Sequence, residues 1–135
     1  MINNLRELLL AQASIAALIA ARGFVGVAPA TSTLPRIVLH QMGSDEQNDF
    51  QNSGDARQVD LDVDCEGATA QDAYTLAAAV RVFLKDFSGA TPNSGPTFDA
   101  CVVDDEHEKK VEKTTQPNQT RQYAVTVPVS VFYRT

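Results

Sequence analysis

Between residues 58 and 66 the chain alternates without a break: Val59, Leu61, Val63 and Cys65 fall in one phase, Asp60, Asp62, Asp64 and Glu66 in the other. A period of two is that of a strand with one buried face. A slip of one residue would bury four carboxylates, so the register is strongly specified. The same period returns in residues 121–134, where Tyr123, Val125, Val127, Val129, Val131 and Tyr133 share a face. Pro128 lies in the opposite phase and brings no N–H to a ladder, so it marks a bulge or an edge.

Elsewhere the period is near 3.6. Leu5, Leu8, Leu9, Gln12, Ile15, Ala16 and Ile19 form a helical stripe, which predicts an alanine-rich helix over residues 4–22, capped by Asn3 or Asn4 and ended by Gly23. Ala73, Leu76, Ala77, Val80, Phe83, Leu84 and Phe87 predict a second, preceded by a Thr69/Asp72 box-like signal, with Arg81 and Lys85 toward its C-terminal half where the dipole favours cations. Short strands are expected at 24–27, 36–42 and 97–103, with turns at 31–35 and 88–96. Residues 43–56 and 104–120 read as polar excursions. The order helix, short strand, strand, strand, helix, strand, strand predicts an α+β domain. Its antiparallel or mixed sheet has about four to five strands, with both helices on one face. No repeat or linker divides the chain, so residues 1–135 read as a single domain.

Composition narrows the function. At 135 residues and 44% hydrophobic positions, a domain buries roughly 68% of its unfolded surface and needs no metal or disulfide to fold. Cys65 and Cys101 are too few for a disulfide framework and lack metal-site spacing, so they read as reduced thiols of a cytosolic product. The apolar run from Leu8 to Ala21, with Ala28-Pro29-Ala30 beyond it, superficially resembles a secretory signal. Glu7 cancels Arg6, Gln12 and Ser14 interrupt the run, and Arg22 follows it, all against that reading. The run is also short of the roughly 20 residues that span a bilayer, so no membrane association is expected.

The formal charge of −6 argues against a general nucleic-acid binder. The absence of Trp and the 7% aromatic content leave no stacking platform for bases. The charge is also segregated. Residues 1–44 carry +2, 45–66 carry −7, 67–98 are neutral, 99–112 carry −4 and 113–135 carry +3. Basic ends and an acidic middle allow one copy to complement another; solvated faces are the plainer alternative.

Candidate chemistry is sparse. Asp60, Asp62, Asp64 and Glu66 are the oxygen ligands a hard cation would take. At i, i+2 spacing, however, they cannot all reach one ion, and no calcium-loop glycine or neighbouring base accompanies them, which leaves little for a metal-dependent hydrolase. A solvated or lumen-facing surface and an intersubunit salt-bridge surface are the two other readings. His107 among Asp104, Asp105, Glu106 and Glu108 reads as a solvated loop residue, and His40 as a core or interface imidazole. Cys65, on the apolar phase, reads as inert. No phosphate loop, nucleophile elbow or zinc-protease motif is present in the sequence. No enzyme activity and no cofactor are expected.

Together, Leu5-Arg6-Glu7-Leu8-Leu9 leading into Ala17-Leu18-Ile19, the strand entry Leu34-Pro35-Arg36-Ile37-Val38, the strand end Asp62-Val63-Asp64-Cys65 and the helix from Ala73-Tyr74 to Phe83-Leu84 form an ordered pattern. This pattern resembles the tail terminator, or tail completion, proteins of long-tailed (siphovirus-type) bacteriophages over most of residues 4–88 and, more loosely, the last strands. The resemblance implies a structural protein that forms a hexameric ring at the head-proximal end of the tail. Assembled in the host cytoplasm, the ring would cap the tube, stop its polymerisation and provide the surface for head joining. It implies as partners the chain itself, the major tail tube protein and a head-side connector, with DNA passing through the lumen without specific binding. Under it, Asp60, Asp62, Asp64 and Glu66 line the lumen or a subunit interface. Asp45, Glu46, Asp49, Phe50, Asp105, Glu106, Lys109 and Lys110 sit on docking loops. A related neck or head-completion connector has similar size and composition and is the alternative.

Overall fold

The computed structural model describes residues 2–28, 33–46, 56–92, 95–104, 109–113 and 122–134. Three helices, α1 (Ile2–Leu10), α2 (Ala13–Ile19) and α3 (Ala70–Leu84), cover one face of a mixed sheet. Its strands are β1 (Gly23–Val25), β2 (Arg36–Glu46), β3 (Ala56–Gly67), β4 (Gly89–Ala90), β5 (Thr97–Val103), β6 (Lys109–Lys113) and β7 (Gln122–Arg134). The α+β class matches the expectation, with more elements than the four to five strands and two helices foreseen.

The sheet is ordered β1-β2-β3-β7-β5-β4, and β6 pairs with β7 off that path. Only β1 and β2 run parallel; the other neighbours are antiparallel. The two alternating segments become the adjacent central strands β3 and β7, paired along their length from Ala56 opposite Arg134 to Gly67 opposite Tyr123. Their apolar phases, Val59, Leu61, Val63 and Cys65 with Val125, Val127, Val129 and Val131, face the helices and are buried. Against them pack Leu5, Leu8 and Leu9 of α1, Ile15 and Ile19 of α2, and Ala73, Leu76, Ala77, Val80 and Leu84 of α3. Alanine at 73 and 77 lets the α3 backbone approach the sheet closely.

The single helix expected over 4–22 is two, broken at Ala11 and Gln12, and it begins before Asn3 and Asn4, which lie inside α1. Gly23 is not its terminator. Ala20 takes the positive φ of 52° that ends α2, and Gly23 opens β1. A Cβ on Gly23 would stand 3.3 Å from Leu10 and 3.4 Å from Ile37, so a small residue suits the place where α1 crosses the sheet edge. Arg6 donates to the Gly23 carbonyl, and Arg22 to that of Pro35 at 2.8 Å, tying the helices to the β1 edge.

Pro128 sits in a central strand rather than on an edge. The Asp104 amide donates to its carbonyl at 2.9 Å, so that side of Pro128, including the nitrogen that lacks a proton, faces the gap between β5 and β6. The missing donor therefore falls where pairing is interrupted, and the ladder to β3 is untouched. Two polar excursions also require correction. Parts of residues 43–56 and of 104–120 are strand: β2 runs through Glu46, β3 starts at Ala56, and β6 occupies Lys109–Lys113. Among the described residues no helix is long and apolar enough to cross a membrane.

Candidate functional site

The face of the sheet turned away from the helices carries the acidic phase of β3. Because β2 and β7 flank β3 in antiparallel register, their matching phases stand beside it. Arg36 is opposite Glu66 and His40 opposite Asp62 on one side; Thr126 is opposite Asp64 and Ser130 opposite Asp60 on the other. The carboxylates are thus hydrogen-bonded across strands. Arg36 Nε lies 2.6 Å from Glu66 Oε1. His40 Nε2 lies 3.1 Å from Asp64 Oδ2, whose other oxygen accepts from the Thr126 hydroxyl at 2.6 Å. Asp60 Oδ1 accepts from Ser130 at 2.7 Å and from Gln58 Nε2 at 3.3 Å.

Burial divides this row into two halves. Arg36, Asp64 and Glu66 are buried, with exposures of 7%, 8% and 5%, whereas Asp60, Asp62, His40, Thr126 and Ser130 are half-buried. At the buried end a charge must be paired to be tolerated, and Arg36 is the partner that holds Glu66. At the open end Asp60 is held by a hydroxyl and an amide, neutral donors that orient a carboxylate without cancelling its charge. The face is therefore not a uniformly solvated row of acids but a cross-braced network whose more exposed carboxylates are Asp60 and Asp62. Among the described residues, no group of three or more His, Cys, Asp or Glu is placed to share a metal ion.

Of the expected docking-loop residues, Asp45 and Glu46 belong to the end of β2, and Lys109 and Lys110 to the start of β6. Asp49, Phe50, Asp105, Glu106 and the loop residue His107 lie outside the described residues. Cys65 and Cys101 are both buried free thiols, and burial pushes Cys101 up to about 11. A thiol so placed is a poor nucleophile.

Arg36, Thr126 and Ser130 were missed as partners of the acids. The signal was available in the phase of Arg36, Val38 and His40, but only once β2 is known to pair antiparallel with β3. A second feature had no clear sequence signal: an apolar groove of about 430 Å³ on the outer helix surface, lined by Ser14, Ala78, Ala79, Val82 and Phe83. It lies on the helix layer, away from the acidic network.

The family described as tail completion protein gp17 matches residues 3–129. A chain from the virion of a native gene transfer agent particle superposes with a TM-score of 0.58 at 14% identity, over 98% of this chain and 90% of that one. That likeness is one of fold. No curated protein matches the sequence.

Proposed function

The chain belongs to the tail completion protein gp17 family, and from that premise we propose that it is a structural protein of a phage-like tail, acting as its terminator. A ring of copies, six in number, caps the head-proximal end of the tail tube, stops its polymerisation and provides the surface to which the head connector joins. The observation that carries this reading is the family match, which spans the helical layer and nearly the whole sheet, residues 3–129.

The acidic face supports the reading in a specific way. A passage for DNA must not hold the phosphates it conducts. Carboxylates supply that property by repulsion, and Asp60 and Asp62 stand at the more open end of the network. The bracing by Ser130 and Thr126 keeps the carboxylates fixed to the sheet. In this reading the acidic face lines the lumen, the chain acts as one domain, and it uses no cofactor and catalyses no reaction. The origin of the structural relative, a gene transfer agent virion, fits a particle that moves DNA through a tail.

Tube growth tests the proposal. Added to polymerising tail tube protein, the purified chain is expected to arrest elongation and give short tubes that do not resume growth when more tube protein is supplied. Tubes of undiminished length would contradict it. Tubes that grow normally beside heads carrying the protein at their connectors would favour the neck alternative.

A further inference from the structure

We propose that neighbouring copies join by strand addition, the free outer edge of β2 at residues 43–46 pairing antiparallel with the free outer edge of β6 in the next copy; this rests on the ring reading above. On its outer side β2 is paired with β1 only from Ile37 to Leu39, after which Gly26, at φ +82°, turns the chain away. Among the described residues no strand pairs with the outer side of β2 beyond that point, while β3 holds its inner side through Glu46. At the other side of the sheet, among the described residues, β6 pairs with β7 alone. Each edge leaves backbone donors and acceptors that a further strand can satisfy.

The sequence makes these edges complementary. Residues 45 and 46 are Asp and Glu, while 109, 110 and 113 are Lys. In an antiparallel pairing with Glu46 opposite Lys109, Asp45 falls opposite Lys110. Opposite charges across a ladder are favourable and like charges unfavourable. Two β2 edges therefore repel; two β6 edges, each with three Lys and Glu112, meet with net positive charge, whereas in the head-to-tail combination Glu112 falls opposite the uncharged Gly43 and Lys109 and Lys110 meet acids, so that combination is favoured. That combination is heterologous, the kind that closes into rings rather than two-fold dimers.

Two further observations point to the same edge. Val25, Val27 and Met42 are exposed to 37%, 81% and 64%, and all three lie along the β1/β2 side of the sheet, where an arriving neighbour would cover them. The two free edges are also staggered. Residues 43–46 are level with the Ser130 to Tyr133 end of β7, through Asp60 to Arg57 of β3, whereas β6 lies against Gln122 to Thr126. Copies joined this way are displaced along the strand direction, the stagger that a sheet needs to close on itself.

Paired cysteines test this directly. With Glu46→Cys and Lys109→Cys in one chain, oxidation or a short bis-maleimide is expected to give a denaturant-resistant ladder reaching the full ring, while either single variant gives none. Native Cys65 and Cys101 are buried and do not contribute. Rings visible by imaging with no ladder would overturn the pairing and leave the ring reading standing. Absence of any ring, with or without tube ends, would remove both. Charge exchange provides the second test. Asp45→Lys with Glu46→Lys is expected to shift the assembly to monomers, and adding Lys109→Glu with Lys110→Glu to restore it. A folded fourfold variant that stays monomeric would overturn the proposal.

Discussion

Arg36 and Glu66 form an ion pair 2.6 Å apart with almost no exposure. Glu66→Ala is expected to cost about 3 kcal/mol by chemical denaturation, because it breaks a buried ion pair by removing one partner. Replacing both partners with Met should recover most of that loss. Gly67 is the other sensitive position. A Cβ there would come within 2.7 Å of the Ala73 nitrogen and 2.8 Å of the Asp72 Cβ, where β3 turns into α3. Gly67→Ala is therefore expected to lose about 1–3 kcal/mol through overpacking. The Cys101 thiol has its pKa raised from 9.0 to about 11 by burial. The unfolded chain releases this proton first as pH rises, so the contribution of Cys101 to stability is full below pH 9 and falls through the window up to about 11. Denaturation across that range should show a steeper loss for the wild type than for Cys101→Ala. At this scale, the burial of Cys65 follows from strand phase alone, whereas that of Cys101 does not, because the irregularity between Phe98 and Ala100 shifts the phase of β5 and buries both Phe98 and Cys101. Nor does the partner of Glu66, because a phase says which face a residue is on and not which strand lies beside it.

Among the elements, α3 was the most legible. Its stripe has the helical period, and Thr69 caps it by accepting from the Asp72 amide at 3.1 Å. Thr69→Ala should cost about 1 kcal/mol, read as a lowered denaturation midpoint with an unchanged slope, whereas Thr69→Asp should retain the cap. The strands β3 and β7 were legible for a similar reason, since both alternate strictly and bury one phase. The break between α1 and α2 was not, because residues 10–13 contain neither Gly nor Pro and the apolar period continues across them. The outer part of β2 and all of β6 were hidden by composition. They are polar strands, held by backbone pairing to β3 and β7, and nothing in residues 43–46 or 109–113 marks a buried face. Pro128 was read as a bulge or an edge. It is neither an edge residue nor a flaw in the β3 ladder, but the point at which β5 gives way to β6.

For the whole molecule, the segregated charge takes on a spatial meaning. Of the acids in residues 45–66, Asp45 and Glu46 fall on β2 and Asp60, Asp62, Asp64 and Glu66 on β3, and the basic residues Lys109, Lys110 and Lys113 stand on the opposite side of the sheet. A subunit with unlike sides suits head-to-tail association, and its acidic face suits a lumen. If Asp60, Asp62 and Asp64 line that lumen, their joint replacement by Asn should leave the assembly intact and slow DNA passage through it. Loss of the assembly would instead place them between subunits. The central claim, that this member of the tail completion family is a ring-forming terminator, is tested most directly by negative-stain imaging of the purified protein mixed with tail tubes. Six-membered rings are expected, with one seated on the end of each arrested tube. A protein that remains monomeric by imaging and leaves tube ends bare would contradict it.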